Sequence, residues 1–445
     1  MKRFLAALLL LTVCTAVFPA VAQSDAPSVF RILWSGDEGQ ISALWQKLDA
    51  SAQTQISPAV LMGLKEQLTQ AYGDWKGNGE AAVLNQNGMT VSLMPVHFER
   101  MSLQFQLVTQ DEKILGLAFT PLKVTATPAP VADEAIEEIE VTIGEGTAYP
   151  LPGTLTLPKE GTNLPLAVLV HGSGPNDRNE TVGSVHMFRD LAEALARRGI
   201  ATLRYDKRTL VYGSRLTADE LRRFSAREET IDDAILAAKL AQKLERIDTE
   251  QVYVIGHSLG AMLSPRIVKD AEGLFKGMVL LCGSPYTLLD IMIDQNQAVV
   301  NSLEGDVKAG QQATLDKLVA EAEANLALSA DEFEGKTIFG QPAYYFWEME
   351  RFDTAEMIRQ SGAPTLIING GSDFQVTDEN GIIAWQKALQ GVDTVRMIHR
   401  PELNHMLMEY SGDPAFKGTV KEYDTPARLD SDAAKAIADW ILEQE

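Results

Sequence analysis

Apolar residues recur along this chain with two different periods, and the change from one to the other divides it. Over residues 37–50, Ile41, Leu44, Trp45 and Leu48 fall on one face at helical spacing. Ser57 followed by Pro58 has the chemistry of an N-cap and a first helical residue, and the helix it predicts carries Leu61, Leu64 and Leu68. Beyond Gly77 the period falls to two. Leu103, Phe105 and Leu107 alternate with polar residues, as do Leu115, Leu117 and Phe119, which predicts half-buried strands. Two helices followed by short antiparallel strands make a small α+β domain, expected over residues 30–122.

Residues 123–138 follow neither period. Two prolines, several alanines and an acidic cluster mark a linker there. From residue 139 the pattern alternates. Short apolar runs at 166–170, 200–203, 252–255, 278–281, 365–368 and 395–398 predict buried strands. Helical patterns lie between them at 187–198, at 230–244 and from Leu259 onward. Such alternation predicts an α/β domain over 139–445, with a mostly parallel central sheet flanked by helices. Residues 285–364 interrupt it and read as a helical cap insertion. Near its end lies the aromatic cluster Tyr344-Tyr345-Phe346-Trp347, which suits either a substrate pocket or the core of the insertion.

Composition changes the picture mainly at the start. The chain has 445 residues, 45% hydrophobic and 22% charged, which are globular values. Lys2 and Arg3 precede an apolar run over 4–17, and Ala20-Val21-Ala22 has the small-x-small form of a cleavage site. Residues 1–22 therefore predict a signal peptide and export to the periplasm or the medium. The rival, a lipoprotein signal ending at Cys14, fits poorly because Val13 stands where a small residue is expected. Removing the signal leaves Cys282 as the one cysteine, so no intramolecular disulfide is expected. Cys282 ends an apolar run and reads as a small buried residue. The net charge is −22, and more negative still without Lys2 and Arg3, which argues against nucleic acid or anionic lipid as partners. No later segment is long and apolar enough to predict a membrane span.

The chemistry concentrates at strand ends. Gly256-His257-Ser258-Leu259-Gly260 is Gly-x-Ser-x-Gly, directly after a buried strand and before a helix. A serine on that tight turn stands clear of the sheet edge, which makes Ser258 the candidate nucleophile. A serine hydroxyl needs a base to take its proton. Among six histidines, His405 follows the last strand, beyond Pro401, and fits best; His399, at the strand's end, is its rival. Asp373, in Gly370-Gly371-Ser372-Asp373 after the strand at 365–368, is the candidate acid that orients the base, with Asp378 as the alternative. Backbone N–H groups must meet the oxyanion. Leu259 supplies one. Ser173, in His171-Gly172-Ser173-Gly174-Pro175, is the choice for the other, with Gly172 and Gly174 close behind. Asp206-Lys207-Arg208 lies at the same edge and suits an ion-pair network or support of the oxyanion loop.

The order Ser258, Asp373, His405, with the His171-Gly172 loop upstream, resembles the α/β-hydrolase superfamily from about residue 139 to the C-terminus. His171-Gly172-Ser173-Gly174-Pro175-Asn176-Asp177-Arg178, with Arg204-Tyr205-Asp206-Lys207-Arg208, resembles a bacterial group of exported esterases and serine aminopeptidase-like hydrolases. Some of that group carry a small N-terminal domain. The resemblance implies an α/β-hydrolase fold of about eight mostly parallel strands, a cap over residues 285–364, a Ser-His-Asp triad and no cofactor or metal. It implies a small-molecule ester as substrate. The alternatives are a peptidase or amidase with the same triad, for which Glu348 and Glu350 are candidates to receive a free amine, or a binding protein without activity. The N-terminal domain is a candidate module for an unknown partner or for self-association.

Overall fold

The computed structural model describes residues 25–121 and 135–444, apart from short breaks at 50–51, 54–55, 80, 87–88, 100–101, 112, 330–331 and 334. The expected signal segment and most of the expected linker lie outside the described residues. The chain divides near Val124 into two compact units.

In the first unit, helices Glu38–Gln46 and Pro58–Tyr72 form where the apolar periodicity predicts them. Asp37 and Ser57 cap them, each side chain accepting a backbone N–H three residues on. A further helix, Ala26–Ser35, precedes both and escapes the sequence reading. It supplies Phe30, the centre of an aromatic cluster with Trp34, Trp75, Phe105 and Phe119. Five antiparallel strands complete the unit: β1 (Trp75–Asn78), β2 (Ala82–Gln86), β3 (Met89–Phe98), β4 (Ser102–Gln110) and β5 (Lys113–Pro121). Leu103, Phe105 and Leu107 are buried as expected, but in β5 Ile114 takes the core position instead of Leu115. The register shifts between Val108 and Thr109, so the inward set passes from Ile114 to Leu117 and Phe119 across a bulge.

The second unit is built on eight strands: β6 (Ile136–Ile143), β7 (Leu151–Pro158), β8 (Leu164–Val170), β9 (Ala201–Tyr205), β10 (Ile247–His257), β11 (Gly277–Leu281), β12 (Thr365–Gly370) and β13 (Val395–Arg400). Their order across the sheet is β13-β12-β11-β10-β8-β9-β7-β6. Strands β6 and β7 pair antiparallel, as do β7 and β9; all other neighbours are parallel. Strand β6 begins at Ile136, three residues before the expected start of the domain. Both faces are covered, which explains the continuous apolar runs. Alternate residues of one strand serve separate cores. Leu166, Val168 and Val170 pack against helices Asp232–Ala241 and Leu259–Asp270. Ala167 and Leu169 pack against helices Met187–Ala196 and Ser431–Leu442.

The segment after β11 forms helices Leu288–Asn301, Gly305–Leu326 and Ala343–Met349 around a core of their own, which includes Leu289, Ala322, Phe333 and Phe346. Tyr344 and Trp347 lie against Phe333, so most of the aromatic cluster is core of the insertion. Helix Thr354–Ser361 behaves differently. Its Ala355 and Ile358 join the main core beneath the sheet. Among the described residues no helix is long and apolar enough to cross a membrane.

Candidate active site

Strand β10 delivers Ser258 into a backbone conformation that only a tight turn imposes, φ 53° and ψ −117°. A non-glycine residue there is strained, and the surrounding packing holds it. The flanking glycines have a steric reason. A Cβ on Gly256 would lie 2.2 Å from the Gly260 carbonyl oxygen, and one on Gly260 would lie 2.1 Å from that of Val170. The elbow therefore closes only without those side chains. Helix Leu259–Asp270 starts at once, and its first N–H groups have no intrahelical acceptor.

His405 and Asp373 come together at the same end of the sheet. His405 Nδ1 lies 2.7 Å from Asp373 Oδ2, and both side chains are buried. The other Asp373 oxygen, Oδ1, accepts the N–H groups of Gln375 (2.7 Å) and Val376 (2.9 Å). These bonds fix the carboxylate and leave Nε2 as the nitrogen of His405 open to proton exchange. Asn404 shapes the loop: its Oδ1 accepts the N–H groups of Met406 and Met408, and its Nδ2 donates to Glu422. The two rivals pair with each other instead. His399 Nε2 lies 2.8 Å from Asp378 Oδ1, with both side chains 34% exposed at the sheet's edge.

His257, inside the elbow, ties the histidine loop to the serine. Its Nε2 donates to the His405 carbonyl at 2.9 Å, and the two rings are 4.8 Å apart. Its Nδ1 lies 3.0 Å from Glu180 Oε1. Burial opposes charge on His257, but the Glu180 carboxylate outweighs it, and the imidazole pKa stands above its ordinary value. Burial likewise opposes charge on Glu180, and the charge of His257 outweighs it, holding the carboxyl below its usual range. Glu180 also accepts the Gly172 N–H at 2.7 Å. Nothing in the sequence pattern singles out Glu180, because its partners are eight and 77 residues away.

The loop after β8 lies against the elbow. A Cβ on Gly172 would sit 3.0 Å from that of Ser258. Since the Gly172 N–H is committed to Glu180, Ser173, which is exposed, offers the next N–H along the loop. His171 is buried beside Phe188 and Tyr205, and burial lowers its pKa to about 4, so it is neutral and packs as a structural residue. Asp206, Lys207 and Arg208 all enter ion pairs. Asp206 takes Arg178, Lys207 takes Glu229, and Arg208 takes Asp233, whose carboxyl burial pushes up to about 6.

Cys282, Asp373 and His405 offer ligand atoms within 4.8 Å of one another, close enough to hold a metal ion. Cys282 is fully buried, and burial raises its thiol well above the ordinary pKa. A cavity of about 390 Å³ opens one helical turn beyond the elbow, between Met262, Leu263 and Arg266 on one side and Tyr286, Met349 and Phe352 on the other.

A model of the alpha/beta hydrolase family matches residues 167–415. Esterase EstD of Thermotoga maritima is 35% identical over 341 residues, 76% of this chain and 76% of its own. This chain belongs to the alpha/beta hydrolase family. It is a hydrolase with the expected α/β-hydrolase fold, a mostly parallel sheet flanked by helices, and a separate antiparallel-sheet unit before it. Among solved structures, Est1E from Butyrivibrio proteoclasticus is similar to this hydrolase at 15% identity and a TM-score of 0.41, over 68% of this chain and 98% of that one. An esterase of Pyrococcus furiosus is similar at 13% identity and a TM-score of 0.43, over 69% of this chain and 91% of that one.

Proposed function

We propose that this hydrolase cleaves carboxylic esters through an acyl-enzyme, with Ser258 as nucleophile, His405 as base and Asp373 as the acid that orients it. The observation that carries this reading is the buried Asp373–His405 pair, in a loop whose His405 carbonyl is bonded to the residue before Ser258. His405 Nε2 takes the proton of Ser258 as the hydroxyl oxygen attacks the ester carbonyl. The N–H groups of Leu259 and Ser173 stabilise the resulting oxyanion. Collapse breaks the bond to the alcohol oxygen, which leaves with the proton held by His405. A water molecule, deprotonated by His405, then attacks the acyl-enzyme, and the acid departs as Ser258 regains its proton. Asp373 keeps the proton of neutral His405 on Nδ1 and stabilises the imidazolium formed in each half-reaction.

The similarity to esterase EstD supports the ester as substrate class. The aminopeptidase alternative loses one of its two candidate carboxylates, because Glu348 is engaged by both terminal nitrogens of Arg266. The test is hydrolysis of a short-chain p-nitrophenyl ester by the wild type beside Ser258→Ala. Turnover by the wild type alone is the expected result. Equal activity in both removes Ser258 from the mechanism. An aminoacyl amide cleaved in preference to the ester would move the reading to an amidase.

A further inference from the structure

The oxyanion loop is held from beneath by a buried cation that the mechanism above does not use. Lys207 is 1% exposed. Its Nζ donates to the Gly172 carbonyl at 2.8 Å and lies 3.2 Å from Glu229 Oε1. Asn176 Nδ2 donates to the same carbonyl at 3.2 Å and to that of Ser173 at 3.1 Å. The backbone N–H of Lys207 donates in turn to the Asn176 carbonyl, so loop and lysine brace each other. On the far side of the ion pair, Tyr345 of helix Ala343–Met349 donates to Glu229 Oε2 at 2.6 Å.

The Gly172 carbonyl and the Ser173 N–H belong to one peptide group. No cis peptide occurs among the described residues, and in a trans peptide the N–H points opposite the C=O. Holding the carbonyl down on Lys207 therefore turns the Ser173 N–H up, away from the lysine. We propose that Lys207 is a positioning residue of the oxyanion site: its ammonium fixes the Gly172–Ser173 peptide with the Ser173 N–H outward and polarises it. The proposal rests on the reading of Ser258 and Ser173 given above.

The charge has a specific use here. Glycine lacks a Cβ, so a peptide group next to Gly172 rotates more easily than most. A half-turn would aim the carbonyl oxygen at the developing oxyanion and the N–H at Lys207. An ammonium has three donors and no acceptor, so it rejects the turned state. It also draws electron density toward the carbonyl oxygen, which strengthens the N–H at the other end as a donor. Glu229 balances the buried charge and weakens that polarisation only in part, because the carbonyl is the closer neighbour of Nζ.

The test uses Lys207→Met and Lys207→Gln in the full chain, with folding checked by thermal melting. Methionine removes both charge and donor. Glutamine keeps a donor but also offers an acceptor, so it does not reject the turned peptide. Three quantities are measured: kcat and KM for a short-chain p-nitrophenyl ester, and the inhibition constant of a trifluoromethyl ketone, which forms an oxyanionic adduct with the serine. In Lys207→Met, kcat falls by about tenfold to a hundredfold, below the loss for a whole oxyanion donor, while KM stays within about threefold. Ketone affinity falls by the same factor as kcat/KM, and Lys207→Gln lies between Met and wild type. A folded Met variant that keeps kcat and ketone affinity within about threefold of wild type overturns the proposal; if Met does not fold, the same result with Gln does so. Loss of ester turnover in Ser258→Ala beside full activity in Lys207→Met sinks the role of Lys207 alone. Unchanged turnover in Ser258→Ala sinks the underlying reading.

Discussion

Asp373 and Glu180 are both buried carboxylates beside a histidine, yet they are built for different tasks. Asp373 accepts two backbone N–H groups on one oxygen and His405 on the other, so it is fixed in direction. Replacing it by Asn preserves the shape and reverses which imidazole nitrogen carries the proton. Asp373→Asn is expected to lower kcat by on the order of a thousandfold or more while the protein stays folded, checked by steady-state kinetics beside circular dichroism. Glu180 instead forms an ion pair with His257, and its effect is on stability. The His257 pKa is raised, so its contribution is complete below the ordinary value of 6.5 and is lost as pH rises through the higher folded value. The Glu180 pKa is lowered, so its contribution is complete above the ordinary 4.5 and is lost as pH falls through the lower folded value. Both are complete together between pH 4.5 and 6.5. Glu180→Gln is expected to destabilise by about 3 kcal/mol within that window, because it leaves a buried histidine without its counter-ion. The difference narrows as pH rises above it. Denaturant titrations of both proteins across pH test this, and a difference independent of pH would remove the ion pair from the account.

At the scale of elements, the elbow is a contact between three backbones. The Gly260 site faces the Val170 and His171 carbonyl oxygens of β8 and its loop, so a Cβ there meets backbone rather than a side chain that can swing aside. Gly260→Ala is expected to cost about 3 kcal/mol or more and to abolish turnover, read by chemical denaturation and ester hydrolysis. A wild-type melting curve and rate for this variant would mean that the turn is looser than its geometry implies. The insertion depends on gentler devices. Helix Leu288–Asn301 begins with a capping box in which Thr287 and Asp290 satisfy each other's backbone N–H groups. Thr287→Ala is expected to cost about 1 kcal/mol, visible as faster amide exchange over residues 288–301.

Over the whole molecule, the two units have separate cores. The first is formed from residues between Ala26 and Phe119, the second from residues after Ile136. A chain beginning at residue 135 is therefore expected to fold and to hydrolyse a small ester, whereas loss of folding would show that the first unit completes the second. Much of this organisation can be read from the residues alone. The change of apolar period separates the units, because period two and period 3.6 place side chains on different faces whatever the surroundings. Ser258 is legible because a strand, a tight turn and a helix are neighbours in sequence, and the glycines that permit the turn lie two residues either side. The spacing places Leu115 inward with Leu117 and Phe119, but a bulge in the pairing with β4 exchanges the faces of β5 there, and pairing is not a local property. His399 lies six residues before His405 and is its rival for the base in the sequence, where His405 fits better by its place beyond the last strand. Their surroundings differ only in the tertiary structure, where β13 leaves His399 partly exposed with Asp378 while the Asn404 turn buries His405 against Asp373. Glu180 and Lys207 have no local signature, since each acts on Gly172 from another stretch of chain. By itself, then, the sequence determined the elements, their class and the elbow, all of which arise from contacts within a few residues. Only the tertiary structure decided which charges share a buried site, because there the cost of burial is met by partners brought from far along the chain.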